Sequence, residues 1–429
     1  MKYPDKRGMA YAWLLLLYLA CAPAAFAGQW NRVSTVLQND QHRLVKSLSK
    51  QERSILRATI ALKLHQPEAA LNLLAPAKQA KDPLVALLEA EAHRQQAIRA
   101  MQQAGDYDKD MARQEKLLAS ADLNQGLGEA DARLHAFTDR LYHADGNPVD
   151  ILMTGSDITN VFMFDKALNR MFVFQPNKSG GLDKITDEYV VTGTVKGDKQ
   201  HKGDGRTPHG IYRFVKKLQD KALQSRYGPV AFPIDYPNEL DLMHHKTGSG
   251  IWLHGYPIDV RRRPPQDTRG CFSLSNDRLM RIAKHVRLRH SWVIVGENLI
   301  FGEPAQKQKL LESVLQDIET WRRDWASLDT EAYLSHYHRA FHSGKRNLAA
   351  WKTYKRRVNA QKSHVQVSFS DMTLIHDPNE WPEGEVVVAE FKQIYLSSDF
   401  ADRTHKRLYL ARDNASQHWK ILLEETIKP

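Results

Sequence analysis

The chain has 429 residues, with 61 lysines and arginines against 50 aspartates and glutamates, a formal charge of +11, and two cysteines. A chain of that length exceeds what one hydrophobic core supports, so two or three domains are expected. The cysteine count excludes a scaffold built on several disulfides.

The first residues set the compartment. Lys2, Lys6 and Arg7 precede an apolar run from about Met9 to Ala20, and Ala25-Phe26-Ala27 follows. This is the charge, core and small-x-small order of a secretory signal peptide; the run falls short of the about 20 residues that span a bilayer. The reading is a signal over residues 1–27, cleavage after Ala27, and an exported, periplasmic mature chain from Gly28. A lipoprotein acylated at Cys21 is the competing reading, against which Tyr18 stands where such signals usually carry leucine. Removal of the signal takes three cations and one anion, Asp5, and leaves about +9. Outside the cytoplasm that charge suits a polyanionic envelope component, or a solvated face, better than nucleic acid. It also leaves Cys271 as a lone thiol, either inert in a core or reactive.

Residues 28–145 are nearly free of strand patterning and read as helices. Apolar faces over Ile55 to Leu64 and Pro67 to Leu74 predict a helical hairpin, and Asp82-Pro83 opens the next helix. The texture resembles a tetratricopeptide unit without a second copy, and the segment is read as a packing or homodimerisation module. A turn-rich connector, His143 to Pro148, ends it.

From residue 150 to 302 the period changes to two. Val161 to Asp165 and Arg170 to Phe174 predict a hairpin, and Tyr189 to Thr192, Gly210 to Phe214, Gly250 to His254 and Trp292 to Val295 add strands. Residues 304–429 open with a helical stretch predicted from Ala305 to about His342, with Trp321 and Trp325 on its apolar stripe. Alternating strands around Val365, Glu385 to Leu396, Arg407 to Ala411 and Trp419 to Leu423 follow. The fold class is therefore multidomain α+β: a helical module, a mainly β domain, and a helix-then-sheet α+β domain. The last resembles an NTF2-like cone, a fold that implies a pocket for an unidentified small ligand.

The chemistry centres on Gly250-Ile251-Trp252-Leu253-His254-Gly255-Tyr256, followed by Thr268-Arg269-Gly270-Cys271-Phe272-Ser273-Leu274. A histidine at a strand end and a cysteine in a glycine-containing turn can form a base and nucleophile, because the thiolate attacks and an imidazole can take its proton. Arg269 would favour the anion. The N–H groups of Gly270 and Cys271, beside a helix predicted over Asn276 to His285, are candidate oxyanion donors. His244, His245 and His254 near Glu239 and Asp241 form a rival zinc constellation. No H-E-x-x-H is present, however, and adjacent strand residues face opposite ways.

The histidine-glycine pair, the gap to T-x-G-C, the Gly205 to Tyr212 segment with its Thr207-Pro208-His209-Gly210, and the Val161 to Phe174 hairpin together resemble the L,D-transpeptidase catalytic domain, the YkuD family. With its flanking segments the chain resembles the three-domain relatives of the helical-cell-shape L,D-carboxypeptidase. The resemblance implies a peptidoglycan enzyme acting on stem tetrapeptides through a Cys271 thioester. His254 would be the base and the Gly255 carbonyl its orienting group, with no cofactor. The leading reading is an L,D-transpeptidase, a cysteine acyl transferase whose acceptor is an amine; the alternative is an L,D-carboxypeptidase, which trims tetrapeptide to tripeptide with water as acceptor. A non-catalytic peptidoglycan-binding scaffold is the remaining alternative. Arg269, Thr268, Ser273 and Tyr256 are the candidate substrate contacts. Arg269 and Ser273 stand where many members carry histidine and arginine or asparagine, so Arg269 is read either as a clamp for the stem's terminal carboxylate or as an ordinary ion pair with Asp267. The basic loop Arg261-Arg262-Arg263-Pro264-Pro265 is read either as a lid or as a solvated loop.

Overall fold

The computed structural model describes residues 30–80, 82–104, 124–142, 147–219, 221–260, 263–302, 304–412 and 417–427. The signal segment, Cys21 and the connector at 143–146 lie outside them. The chain divides into two compact units, Met1–Tyr142 and His143–Pro429.

In the first unit, helices α1 (Lys50–Lys63), α2 (Pro67–Leu74), α3 (Pro83–Ala104) and α4 (Asn124–Tyr142) pack on one another. Ser49 caps α1 by accepting from the Glu52 N–H at 3.0 Å, and Asp82 caps α3 at the Leu84 N–H at 2.9 Å. The predicted hairpin faces meet in a core of Ile55, Ala58, Leu62, Ala70, Leu74 and Leu88. Arg133 is buried and neutralised by Glu52 and Glu129.

The second unit begins with β1 (Ile151–Met153), β2 (Asn160–Asp165), β3 (Arg170–Pro176), β4 (Leu182–Tyr189) and β5 (Gly210–Arg213). Helix α5 (Lys221–Tyr227), β6 (Ala231–Pro233), α6 (Glu239–Met243), β7 (Trp252–Gly255), β8 (Gln266–Thr268), β9 (Phe272–Leu274), α7 (Asn276–Ala283) and β10 (Ser291–Gly296) follow. A five-stranded sheet runs β4-β3-β2-β10-β5, and a three-stranded sheet runs β9-β7-β6. Their facing sides form one core, in which Phe162, Phe164, Phe214 and Val293 meet Phe232, Leu253, Phe272 and Leu274.

The remainder comprises α8 (Pro304–Ser327), α9 (Thr330–Ser335), β11 (Tyr337–Ser343), α10 (Leu348–Asn359), β12 (Val365–His376), β13 (Glu385–Ser397), β14 (Ala401–Arg412) and β15 (Lys420–Ile427). The helix predicted to about His342 stops at Ser327, because Leu328 takes a left-handed φ of 65° and Asp329 caps a new helix at the Ala332 N–H. Tyr337 to Ser343 is instead a strand, parallel to β15, with Tyr337 and Phe341 buried. Trp321 and Trp325 pack in the core as read. Inside the cone the Lys355 ammonium lies over the rings of Trp325, Tyr333 and Trp351, 4.6–5.4 Å from their centres. An open groove of ≈ 390 Å³ runs between α8 and β12, lined by Leu315, Ile318, Phe369 and Met372.

The segments 150–302 and 304–429 share a core. Strand alternation sends Phe162 and Phe164 of β2 towards the three-stranded sheet, and Val161 and Met163 towards Val386, Val388, Tyr409 and Leu422. Strand β1 precedes the five-stranded sheet in sequence but extends the NTF2-like sheet, pairing Met153 with Leu374. The change of sequence texture near residue 303 is thus not a gap in space.

Candidate active site

The sheet β9-β7-β6 builds the site. Strands β7 and β9 are parallel, with Leu253 opposite Phe272, His254 opposite Ser273 and Gly255 opposite Leu274. Leu253, Phe272 and Leu274 point into the core. By alternation Trp252, His254, Cys271 and Ser273 share the other face, so the register brings the two predicted reacting side chains to one side of the sheet.

His254 is buried, at 4% exposure. Its Nδ1 lies 2.6 Å from the Gly255 carbonyl oxygen, an acceptor, so Nδ1 carries the proton and Nε2 keeps its lone pair. Ser273 Oγ donates to the same carbonyl at 3.1 Å. Burial pushes the imidazole down to about 4; the Gly255 contact works against this and the charge of Arg263 works with it. At neutral pH the ring is an uncharged base.

Cys271 is partly exposed, with Sγ 3.5 Å from the Gly250 carbonyl oxygen. Burial pushes the thiol up to about 11, while the Trp252 N–H, Arg263 and Lys199 oppose the rise. Arg269, expected to favour the anion, is exposed and is not among these groups. The free site therefore holds a neutral thiol beside a neutral imidazole, not a preformed ion pair. Thiolate absorbance near 240 nm should rise with a midpoint about 11 in the native protein, well above that of a free cysteine. A midpoint below 8 would mean an ion pair instead.

The turn before Cys271 needs its glycine. Gly270 has φ 117°, and a Cβ there would lie 2.5 Å from the Arg206 carbonyl oxygen. Gly270→Ala should therefore cost about 1–3 kcal/mol in a denaturant titration, with activity falling more steeply than stability because the turn carries the thiol. Gly255 is constrained differently: a Cβ would lie 2.1 Å from Asn276 Oδ1.

Several expected contacts have other roles. The Gly270 N–H donates to Thr268 Oγ1 at 3.1 Å, so of the two candidate oxyanion donors it is spent inside the turn and the Cys271 N–H is the one left to consider. Thr268 Oγ1 donates in turn to the Cys271 carbonyl at 2.8 Å. Thr268 and Ser273 are buried and brace the turn and the imidazole, and Tyr256 is buried at 3% exposure. Arg269 alone of the four is exposed. Its expected ion pair is absent, because Arg263 Nε holds Asp267 at 2.7 Å. That bond, with Tyr189 Oη donating to the Arg263 carbonyl at 3.1 Å, ties down the end of the basic loop. Arg261 and Arg262 lie outside the described residues.

The histidine and carboxylate set of the zinc reading does not converge. Asp241 accepts from the Asn238 N–H in the capping box of α6 and from Lys246 at 3.0 Å, and His244 stacks on Trp381. Among the described residues no three such groups are placed to hold a metal. The Thr207-Pro208-His209-Gly210 segment supports the site from behind: Thr207 Oγ1 accepts from the Gly193 N–H at 2.9 Å, and the Thr194 N–H donates to the Thr268 carbonyl at 2.9 Å. Sequence reasoning missed Lys166, whose buried ammonium donates to the Gly197 and Thr207 carbonyls at 2.6 and 2.9 Å and so fixes this segment. It also missed Tyr227, whose ring meets His254 edge-on at 5.0 Å.

The sequence model of the L,D-transpeptidase catalytic domain, YkuD, matches residues 159–295, and that of the Cds6 C-terminal NTF2-like domain matches residues 313–425. The helical cell shape determining protein Pgp2 from Campylobacter jejuni, as its K307A mutant, is 30% identical with a TM-score of 0.57, over 68% of this chain and 97% of that one. The chain belongs to the Pgp2-type YkuD family. Bd1075 of Bdellovibrio bacteriovorus is 26% identical with a TM-score of 0.57, over 66% of this chain and 98% of its own. No curated protein sequence matches the chain. The family is peptidoglycan-acting, and the helical, YkuD and NTF2-like parts of this member follow its three-domain architecture.

Proposed function

We propose that the protein is an exported cysteine acyl-transfer enzyme that cleaves the L,D-bond of peptidoglycan stem tetrapeptides, with water as the acceptor. The observation that carries the acyl-transfer reading is the shared sheet face of Cys271 and His254, with His254 Nδ1 held by Gly255. His254 Nε2 takes the thiol proton as Sγ attacks the carbonyl of the third stem residue. With the Gly270 N–H engaged by Thr268, the Cys271 N–H is the backbone donor offered to the oxyanion. Collapse breaks the C–N bond, His254 returns the proton to the departing amine of the D-residue, and a thioester remains. His254 then removes a proton from water, whose attack frees the tripeptide and the thiol.

What favours water is the resemblance of the three-part chain to the relatives of the helical-cell-shape L,D-carboxypeptidase, in keeping with its likeness to a helical cell shape determining protein over 97% of that protein's length. The description of the matched domain favours a second reading, transfer to an amine that gives exchange or a cross-link. Incubating the purified protein with disaccharide tetrapeptide, with and without a D-amino acid, separates the two by mass spectrometry. Tripeptide in both samples is the expected result; exchanged or cross-linked product would replace it with the transferase reading. The signal-like residues 1–27 and the proposed substrate support a periplasmic location.

A further inference from the structure

The sheet order β9-β7-β6 places His254 between the strand that follows Cys271 and the segment that leads into β6. In that segment Tyr227 precedes Ala231, the residue paired with His254. Its ring touches two neighbours: the imidazole edge-on, at 5.0 Å and 84°, and the Trp252 ring at 4.9 Å. Trp252 precedes His254 by two, so it stands on the same face. Arg226 lies 5.9 Å from the Tyr227 ring centre. Trp252 and Tyr227 are partly exposed and Arg226 is exposed. Trp252 Nε1, Tyr227 Oη and the Arg226 guanidinium have no hydrogen-bond or ion-pair partner among the described residues.

The chemistry says what lies there. If Cys271 and His254 act as proposed above, the amine that leaves must collect its proton from the imidazole, so the terminal D-residue sits on the imidazole side of the scissile carbonyl. That residue offers a small apolar side chain and a free carboxylate. We propose that Arg226, Tyr227 and Trp252 form its subsite, with the two rings against the side chain and Arg226 on the carboxylate. Guanidinium matches carboxylate in a planar two-bond pair, and aromatic walls favour a compact apolar group while limiting its size. Arg269, the carboxylate clamp suggested by sequence, lies on the thiol side of the sheet beside Gly270 and is assigned no part in this subsite.

The test compares kcat/KM on disaccharide tetrapeptide with a free terminal carboxylate and on the same compound as its terminal amide. Arg226→Gln should reduce the acid-over-amide preference about tenfold or more, mainly through KM, and Arg269→Gln should leave that preference in place whatever it does to the overall rate. Tyr227→Ala should raise release of a bulkier terminal D-residue such as D-leucine relative to D-alanine, and Tyr227→Phe should not. Arg226 is exposed, so its variant folds. An unchanged acid-over-amide preference in Arg226→Gln, or its loss in Arg269→Gln alone, overturns the subsite. Retained cleavage in Cys271→Ala would instead overturn the acyl-enzyme reading on which the subsite rests.

Discussion

Cys271→Ala should lower turnover of disaccharide tetrapeptide by on the order of 10⁴-fold or more, because one missing member of a nucleophile and base pair disables the whole unit. His254→Ala should fall nearly as far. The two losses should not add, since without a base the thiol, held up to about 11, is almost entirely protonated at neutral pH. Intact-mass measurement under turnover should find the thioester adduct on the native chain and none on Cys271→Ala. Cys271 is partly exposed, so the variant should melt within about 0.5 kcal/mol of the native protein. An adduct that persists in Cys271→Ala would place the nucleophile elsewhere.

The acid side carries a second signature of the same pair. The His254 pKa is depressed to about 4 in the folded chain, below the unfolded value near 6.5. The unfolded state therefore binds more protons between those values. The contribution of His254 to stability is fully present above about pH 6.5 and is lost as pH falls through about 4. The acid limb of kcat/KM should follow the same low value, and a limb near 6.5 would count against the buried imidazole as the base.

The placing of Cys271 and His254 on one sheet face was legible in sequence because its constraints are local: a histidine at a strand end, a glycine that must take a positive φ, and a cysteine directly after it. The T-P-x-G segment was legible for the same reason. What surrounds the pair was not. Tyr227 reaches His254 only through the pairing of β6 with β7, a register that short strands do not announce. Thr268 and Ser273 read as substrate contacts because polar residues beside a nucleophile look available; their burial, and their bonds to the Cys271 and Gly255 carbonyls, came from tertiary structure. The long helix was overextended because Tyr337 and Phe341 continue an apolar stripe, and nothing local reveals that Leu328 turns left-handed. An apolar strand such as Val161 to Phe164 says that both its faces are buried, but not that one of them is covered by the C-terminal sheet.

That shared core predicts the largest effect on stability. Glu390, on β13 of the NTF2-like sheet, binds Arg213 of β5 at 2.7 Å, Arg407 at 3.1 Å and His405 at 3.2 Å, while both guanidiniums lie over the Trp292 ring of β10, at 3.8 and 5.3 Å. Burial works to raise the Glu390 carboxyl, but His405, Arg407 and Arg213 outweigh it and hold the group at about 2. Glu390→Ala leaves the buried Arg213 without its ion-pair partner and Arg407 with Glu425 alone, at 3.3 Å, and should cost about 3–5 kcal/mol, a large part of the total for a domain. Because the two sheets share Val161, Met163, Trp292, Val386 and Tyr409 in one core, tryptophan fluorescence and peptidoglycan cleavage should be lost in a single transition at a lower temperature. The sign with pH follows from the depressed carboxyl: its contribution is full above the unfolded value near 4.3 and disappears as pH falls towards 2, so the native protein should lose its margin over Glu390→Ala through that window. Two separate transitions, with cleavage surviving the first, would mean that the catalytic fold stands without the NTF2-like sheet. A single transition would make the C-terminal domain a structural part of the enzyme, so deleting residues 304–429 should remove cleavage by unfolding the site and not by withdrawing a binding module.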